Sequence, residues 1–99
     1  MPKSAPAWKL EGFLDRLDAW IAHESPTEDL RYIVTEWILT RFENPYQGVR
    51  RDGDLPNLWF GRVPDSHDGT GQVVVCSYWI EESKHTVRCD NFATLTLPL

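Results

Sequence analysis

The most constraining part of the sequence is a run of β-branched and aromatic residues at positions 72–81, Gln-Val-Val-Val-Cys-Ser-Tyr-Trp-Ile-Glu. The polar pair Glu82-Ser83 follows it, and residues 84–90 then return to a strand-like pattern. Val, Tyr and Trp favour pleated strands, and two such runs joined by a short polar link predict a β-hairpin. We therefore expect residues 72–90 to form a long antiparallel hairpin against which the other elements pack.

A turn centred on Glu82-Ser83 sets the register of this hairpin and places Cys76 directly opposite Cys89. Because side chains alternate along a strand, both thiols then share one face with the apolar side chains of Val74, Tyr78, Ile80 and Val87. We expect the helices to cover this face. The thiols are expected to be buried and reduced, since the chain opens with no apolar secretion signal.

The opposite face of the hairpin is the more polar one. The same pairing rule, applied across the turn-forming segment 64–71, adds a strand that puts Arg62 beside Val73 and Phe60 beside Val75. The predicted second face then holds Phe60, Arg62, Ser77, Trp79, Arg88, Asp90 and Phe92. Two interpretations stay open. Its arginines and aromatic rings can grip a phosphate backbone or a base, or the rings cover a small second core.

Two helices are expected before the sheet. Apolar residues from Leu10 to Ile21 recur at helical spacing and predict an amphipathic helix from about Lys9 to His23. Ser25-Pro26-Thr27-Glu28 predicts the start of a second helix capped by Ser25, which stops at Asn44-Pro45. The fold class is therefore α+β, with an antiparallel helix hairpin on one face of a small antiparallel sheet of three to four strands. Pro2 and Pro6 lie in a loose arm at residues 1–7 and leave no place for an opening strand.

Length and charge narrow the function. The 99 residues suit one domain, 1–99, and no apolar run is long enough to cross a membrane, so we expect a cytoplasmic protein. The net charge of −5 excludes a protein that holds nucleic acid with its whole surface. The locally basic stretch contains Arg50, Arg51 and Arg62, just after Arg41. A solvated surface is its favoured interpretation, and nucleic-acid binding there is the alternative.

The sequence contains no catalytic constellation that can be derived from spacing alone. Its three His residues do not converge on a nucleophile, and no C-x-x-C pair is present. The segment Asp68-Gly69-Thr70-Gly71 lacks the strand–loop–helix context of a phosphate-binding loop. No metal and no cofactor are expected.

From Arg41 onward, the order of motifs resembles the RelE/ParE toxin superfamily. The resemblance covers residues 41–90, and the preceding helix pair agrees in type. It is carried by Phe42-Glu43-Asn44-Pro45, Gly48-Val49-Arg50 and Leu55-Pro56-Asn57-Leu58-Trp59-Phe60-Gly61-Arg62-Val63, followed by a turn and the hairpin. The family pattern has an arginine near the start of the strand after the turn and a basic element near the C-terminus. This chain instead has Gln72-Val73-Val74 and an apolar-rich segment at 92–97.

The resemblance implies helices on one face of a curved sheet, a toxin-type activity and control by an antitoxin-like protein. Some members cleave mRNA on the ribosome and others poison gyrase. Arg62 matches a basic position and is the candidate catalytic residue, one that would stabilise phosphate charge. The candidate binding residues are Arg50, Arg51, Arg62, Ser77, Trp79, Arg88 and Asp90.

Because most basic positions of the family are missing, we expect the chain to act by binding a translation or gyrase target rather than by cutting mRNA. The alternative is a non-toxic interaction or regulatory subunit that keeps the fold without catalysis. Self-association as a homodimer also stays open.

Overall fold

A five-stranded mixed sheet is the centre of the computed structural model, which describes residues 7–67 and 69–96. In chain order the elements are β1 (Lys9–Glu11), α1 (Phe13–Glu24), α2 (Glu28–Thr40), β2 (Arg50–Arg51), β3 (Leu58–Arg62), β4 (Gln72–Glu81) and β5 (Thr86–Thr96). The spatial order is β1-β5-β4-β3-β2, in which β1 is parallel to β5 and every other pair is antiparallel. Both helices pack on one face, which confirms the α+β prediction. The sheet also has two short outer strands, β1 and β2. The predicted loose arm lies almost entirely outside the described residues.

The opening strand β1 was not expected, and it replaces the predicted first turn of α1. The Lys9 N–H donates to the His85 carbonyl at 3.0 Å, so the edge of β5 supplies hydrogen bonds that a helix would otherwise make internally. Gly12 then adopts φ 75°, which ends the strand and lets α1 begin at Phe13. Neither Pro2 nor Pro6 prevents this strand, because both precede it in the chain.

The second helix is confirmed, but its cap is Thr27 and not Ser25. The Thr27 hydroxyl accepts the N–H of Leu30 at 3.2 Å. Ser25 instead closes α1, at φ 46°, with its N–H donating to the Ile21 carbonyl at 2.9 Å. The helix ends at Thr40, before the Asn44-Pro45 pair that was expected to stop it.

The hairpin is confirmed, but its register differs by two residues near the turn. The connection is a 3₁₀ turn over Glu82–Lys84 followed by His85 at φ 51°, so it is longer than the predicted two-residue turn. Tyr78 therefore lies opposite Cys89. A β-bulge then inserts Asp90, because Ser77 pairs with Asn91. The predicted Cys76–Cys89 pairing is wrong, and both cysteines are free and buried.

An even shift in register leaves each side chain on its predicted face. The helix-side face of the hairpin is buried and contains Val74, Cys76, Tyr78, Ile80, Val87 and Cys89. Phe92 is the exception, because the bulge turns it from the predicted second face into the core, where it is 5% exposed. There its ring centroid lies 6.3 Å from that of Phe13 and 6.4 Å from that of Trp20.

Candidate binding surface on the open face of the sheet

The sheet face turned away from the helices, which we call the open face, collects most of the predicted site residues. Arg62 pairs with Val75 and Phe60 with Ser77, a shift of two residues from the predicted pairing of β3 and β4. The shift is again even, so the predicted face is kept. In β2, Arg50 lies opposite Phe60 and therefore joins Arg62 on this face.

A groove of about 450 Å³ lies at the β2–β3 end of the open face. Its lining is Gly48, Arg50, Phe60, Gly61, Arg62, Val75 and Leu95. The lining residues come from four strands and the segment before β2, so only the pairing of these strands brings them together. Sequence reasoning named Arg50 and Arg62 and placed Phe60 on this face, but did not assign Gly48, Gly61, Val75 or Leu95 to the site.

Glycine at position 61 determines how closely the segment before β2 approaches the sheet. A Cβ at this position would lie 2.8 Å from Val49 Cγ1 and 2.9 Å from the Gly48 carbonyl oxygen. Both distances are shorter than normal van der Waals contact, so only glycine accommodates this packing. The signal in the sequence was the isolated glycine inside the β3 pattern.

Arg50 and Arg62 carry the positive charge of the groove. Both are exposed, and among residues 7–67 and 69–96 neither has an acidic side chain within ion-pair distance. A guanidinium group without a carboxylate partner offers all of its donors to an incoming anion. Phe60 and Leu95 add apolar surface beside this charge. The groove is therefore suited to an anionic group attached to an apolar or aromatic body.

The rest of the open face has its polar groups engaged within the chain. The Ser77 hydroxyl donates to Asp90 Oδ2 at 2.8 Å, a contact that depends on the bulge. Arg88 Nη2 lies 3.7 Å from Glu81 Oε1. Trp79 pairs with Arg88 and is half-buried. These four predicted residues share the face with Arg62, but Ser77 and Asp90 bond to each other and Arg88 pairs with Glu81.

Two arginines of the basic stretch are directed elsewhere. Arg51 lies opposite Trp59, so alternation puts it on the helix side of the sheet and away from the groove. Arg41 is buried, with its guanidinium carbon 4.4 Å from the centre of the Trp37 ring. It donates to the Gln47 carbonyl at 2.8 Å and to the Tyr78 hydroxyl at 3.1 Å. Arg41 therefore stabilises the packing of α2 on the sheet and has no access to a ligand.

Among the described residues, those that line the groove include no His, Tyr, Asp or Glu, which are side chains that commonly transfer protons. Across the described residues, no three His, Cys, Asp or Glu side chains gather where they could hold a metal ion. No helix in those same ranges is both long and apolar enough to cross a bilayer.

Comparison with solved structures identifies the architecture. The chain superimposes on E. coli toxin RelE, solved as a double arginine mutant in the free state, with a TM-score of 0.59. The match covers 88% of this chain and 82% of that chain, at 13% sequence identity. This chain has a RelE-like fold. No family model matches the sequence, and a search of curated proteins gives no match either.

Proposed function

We propose that this chain is a toxin-type protein of bacterial origin that acts in the cytoplasm and binds its target through the groove on the open face. The target belongs to the translation machinery or is gyrase, and an antitoxin-like protein holds the chain inactive. The observation that carries this proposal is the pair Arg50 and Arg62, which flank Phe60 on an open sheet face without carboxylate partners among the described residues. The RelE-like fold supports the toxin class.

Binding, and not cleavage, is the activity that the groove supports. Hydrolysis of a phosphodiester by proton transfer needs a general base within hydrogen-bond reach of the attacking group, and the groove lining contains no His, Tyr, Asp or Glu among residues 7–67 and 69–96. Arg62 can neutralise phosphate charge, which strengthens binding and is the contribution that we assign to it. Loss of one such contact is expected to weaken binding roughly tenfold or more.

Induced expression in bacteria tests the proposal. We expect wild-type protein to arrest growth, and we expect Arg50→Ala and Arg62→Ala to relieve the arrest at equal protein level. Arg31→Ala is the matched control, since Arg31 is an exposed arginine on α2, on the other side of the sheet. Harmless accumulation of folded wild-type protein would overturn the toxin assignment, and relief by Arg31→Ala would show that the groove is not the working surface.

A non-toxic interaction subunit is the second candidate. It is favoured by the pairing of Arg88 with Glu81 and of Ser77 with Asp90, which leaves much of the open face without free polar groups. This reading predicts no growth effect on induction. It also predicts a stoichiometric protein complex that survives purification and is weakened by Arg62→Ala.

A further inference from the structure

Strand β5 is covered along only part of its outer edge. It contains eleven residues, whereas β1 contains three and pairs only with Thr86, Val87 and Arg88. Gly12 then turns the chain into α1. Beyond Arg88, therefore, β5 has no neighbouring strand on this side within residues 7–67 and 69–96.

The ladder determines which backbone groups face this edge. The Val63 N–H donates to the Val74 carbonyl at 2.8 Å, so even-numbered residues of β4 bond to β3 and odd-numbered residues bond to β5. Through the register with Val73, Val75 and Ser77, the residues of β5 that bond to β4 are Asn91, Ala93 and Leu95. Phe92, Thr94 and Thr96 consequently direct their N–H and C=O groups to the uncovered edge.

This edge lacks the features that normally prevent strand addition. Residues 91–96 read Asn-Phe-Ala-Thr-Leu-Thr and contain neither a charge nor a proline. By contrast, the two outermost strands are short and charged, with Lys9 and Glu11 in β1 and Arg50 and Arg51 in β2. A long, uncharged edge with unpaired backbone groups is a template for another strand.

A groove beside the edge has charges of opposite sign at its two ends. It has a volume of about 370 Å³ and is lined by Arg16, Ala19, Trp20, His23 and Glu24 of α1 and by residues 91–94 of β5. Helix α1 runs in the same direction as β5, because Gly12 lies beside Cys89 and Trp20 Nε1 donates to the Thr94 hydroxyl at 3.0 Å. Arg16 and Glu24 therefore lie at opposite ends of the groove, with the small Ala19 between them.

We propose that the uncovered edge of β5 binds a second copy of this chain, so that two sheets join across a two-fold axis at Thr94. Phe92 then pairs with Thr96 of the second copy, and the outward N–H and C=O groups bond to one another. The helices α1 lie antiparallel across the axis, which brings Arg16 opposite Glu24 of the second copy. Leu95, 46% exposed in the single chain, is covered by Ala93 of the second copy.

Charge reversal tests this symmetric contact, and the test is independent of the proposed function. We expect light scattering after size exclusion to show a concentration-dependent dimer of the full chain. Arg16→Glu or Glu24→Arg alone should weaken the dimer roughly tenfold, because each puts like charges at both ends of the contact. Mixing the two variants should restore the dimer, since both contacts then join opposite charges. Arg31→Glu, on α2, serves as the control and should leave the dimer unchanged.

Amide hydrogen exchange provides a second readout. Dimerisation should slow exchange at Phe92, Thr94 and Thr96, whereas Ala93, which already bonds to β4, should stay protected at every concentration. A chain that remains monomeric at high concentration would overturn the proposal. A dimer that is insensitive to both charge reversals, or an edge that protects its amides only when a different protein is added, would overturn it as well.

Discussion

Arg41 and Tyr78 form a buried polar contact in the middle of the core. The Tyr78 hydroxyl accepts from Arg41 Nη1 and donates to the Pro45 carbonyl. Within the described residues no carboxylate forms an ion pair with Arg41, so carbonyl, hydroxyl and ring electrons balance its charge. Burial raises the pKa of Tyr78, and the nearby Arg41 guanidinium partly opposes that rise.

Cys76 is another buried titratable group on the same face. Burial raises the pKa of its thiol well above the ordinary range, and the hydrogen bond and charge interaction with Cys89 raise it further. The thiol therefore stays protonated in the folded chain at a pH where the same thiol in the unfolded chain ionises. Cys76 and Cys89 therefore act as buried packing residues, as the sequence analysis expected.

These shifts predict a loss of stability at alkaline pH. The folded chain keeps the Cys76 proton while the unfolded chain releases it from about pH 8.5, so the unfolding free energy should fall as pH rises above that value. Tyr78 should add a further decline above about pH 10. Urea unfolding at a series of pH values, under reducing conditions, measures the slope. In Cys76→Ala the decline near pH 9 should be shallower than in wild type, and an unchanged slope would contradict the assignment.

At the scale of elements, the link between α1 and α2 shows how two hydroxyl residues separated only by Pro26 take different roles. Ser25 ends α1 in the left-handed region and Thr27 caps α2 from an extended conformation. The capping motif in the sequence predicted Ser25 as the cap, and the structure assigns the cap to Thr27. The C-terminal end of α1 excludes Ser25 as this cap, because a residue at φ 46° cannot also be the extended cap of the next helix.

Thr27→Ala is therefore expected to destabilise the chain by about 1 kcal/mol, since the N–H of Leu30 loses its hydroxyl acceptor. Thermal or urea unfolding measures the change. Ser25→Ala is the matched control and should change stability little, because Ser25 closes α1 through its backbone N–H and not through its side chain. A larger loss in Ser25→Ala than in Thr27→Ala would show that the cap is wrongly assigned.

At the scale of the whole molecule, the sheet separates two chemical environments. The helix side holds the aromatic and aliphatic core, and the open face holds the groove with Arg50 and Arg62. The two sides meet where Val49 packs over Gly61, because this contact fixes the segment that carries Arg50 against β3. Packing and groove geometry are therefore coupled at one glycine.

Gly61→Ala should lower stability by roughly 1–3 kcal/mol, because the added methyl group overpacks the contact with Val49. It should also reduce any growth arrest at equal protein level, since Arg50 would move away from Arg62. Gly53→Ala is the control, as a Cβ there has no neighbour within 4 Å. Unfolding curves of both variants check the first effect. Equal stability of the two variants would contradict the proposed close packing.

The sequence by itself determined the type and order of the main elements and, up to the bulge at Asp90, the face of each predicted strand of the hairpin. Period-2 alternation and helical spacing are local properties, and they survived a two-residue change of register. For that reason the sequence placed five side chains on the same face of the sheet, although it did not give their cross-strand partners: Arg62, Ser77, Trp79, Arg88 and Asp90.

Only the tertiary structure decided the rest. The strand β1 exists because a distant edge supplies its hydrogen bonds, and Arg41 is buried because Tyr78 and Trp37 enclose it. The same holds for the hairpin formed by β4 and β5. Its cysteines are offset because the turn and the bulge add residues. The turn bonds to Lys9 through the His85 carbonyl, and Phe92 after the bulge packs against Phe13 and Trp20. Such contacts join residues that no local pattern connects.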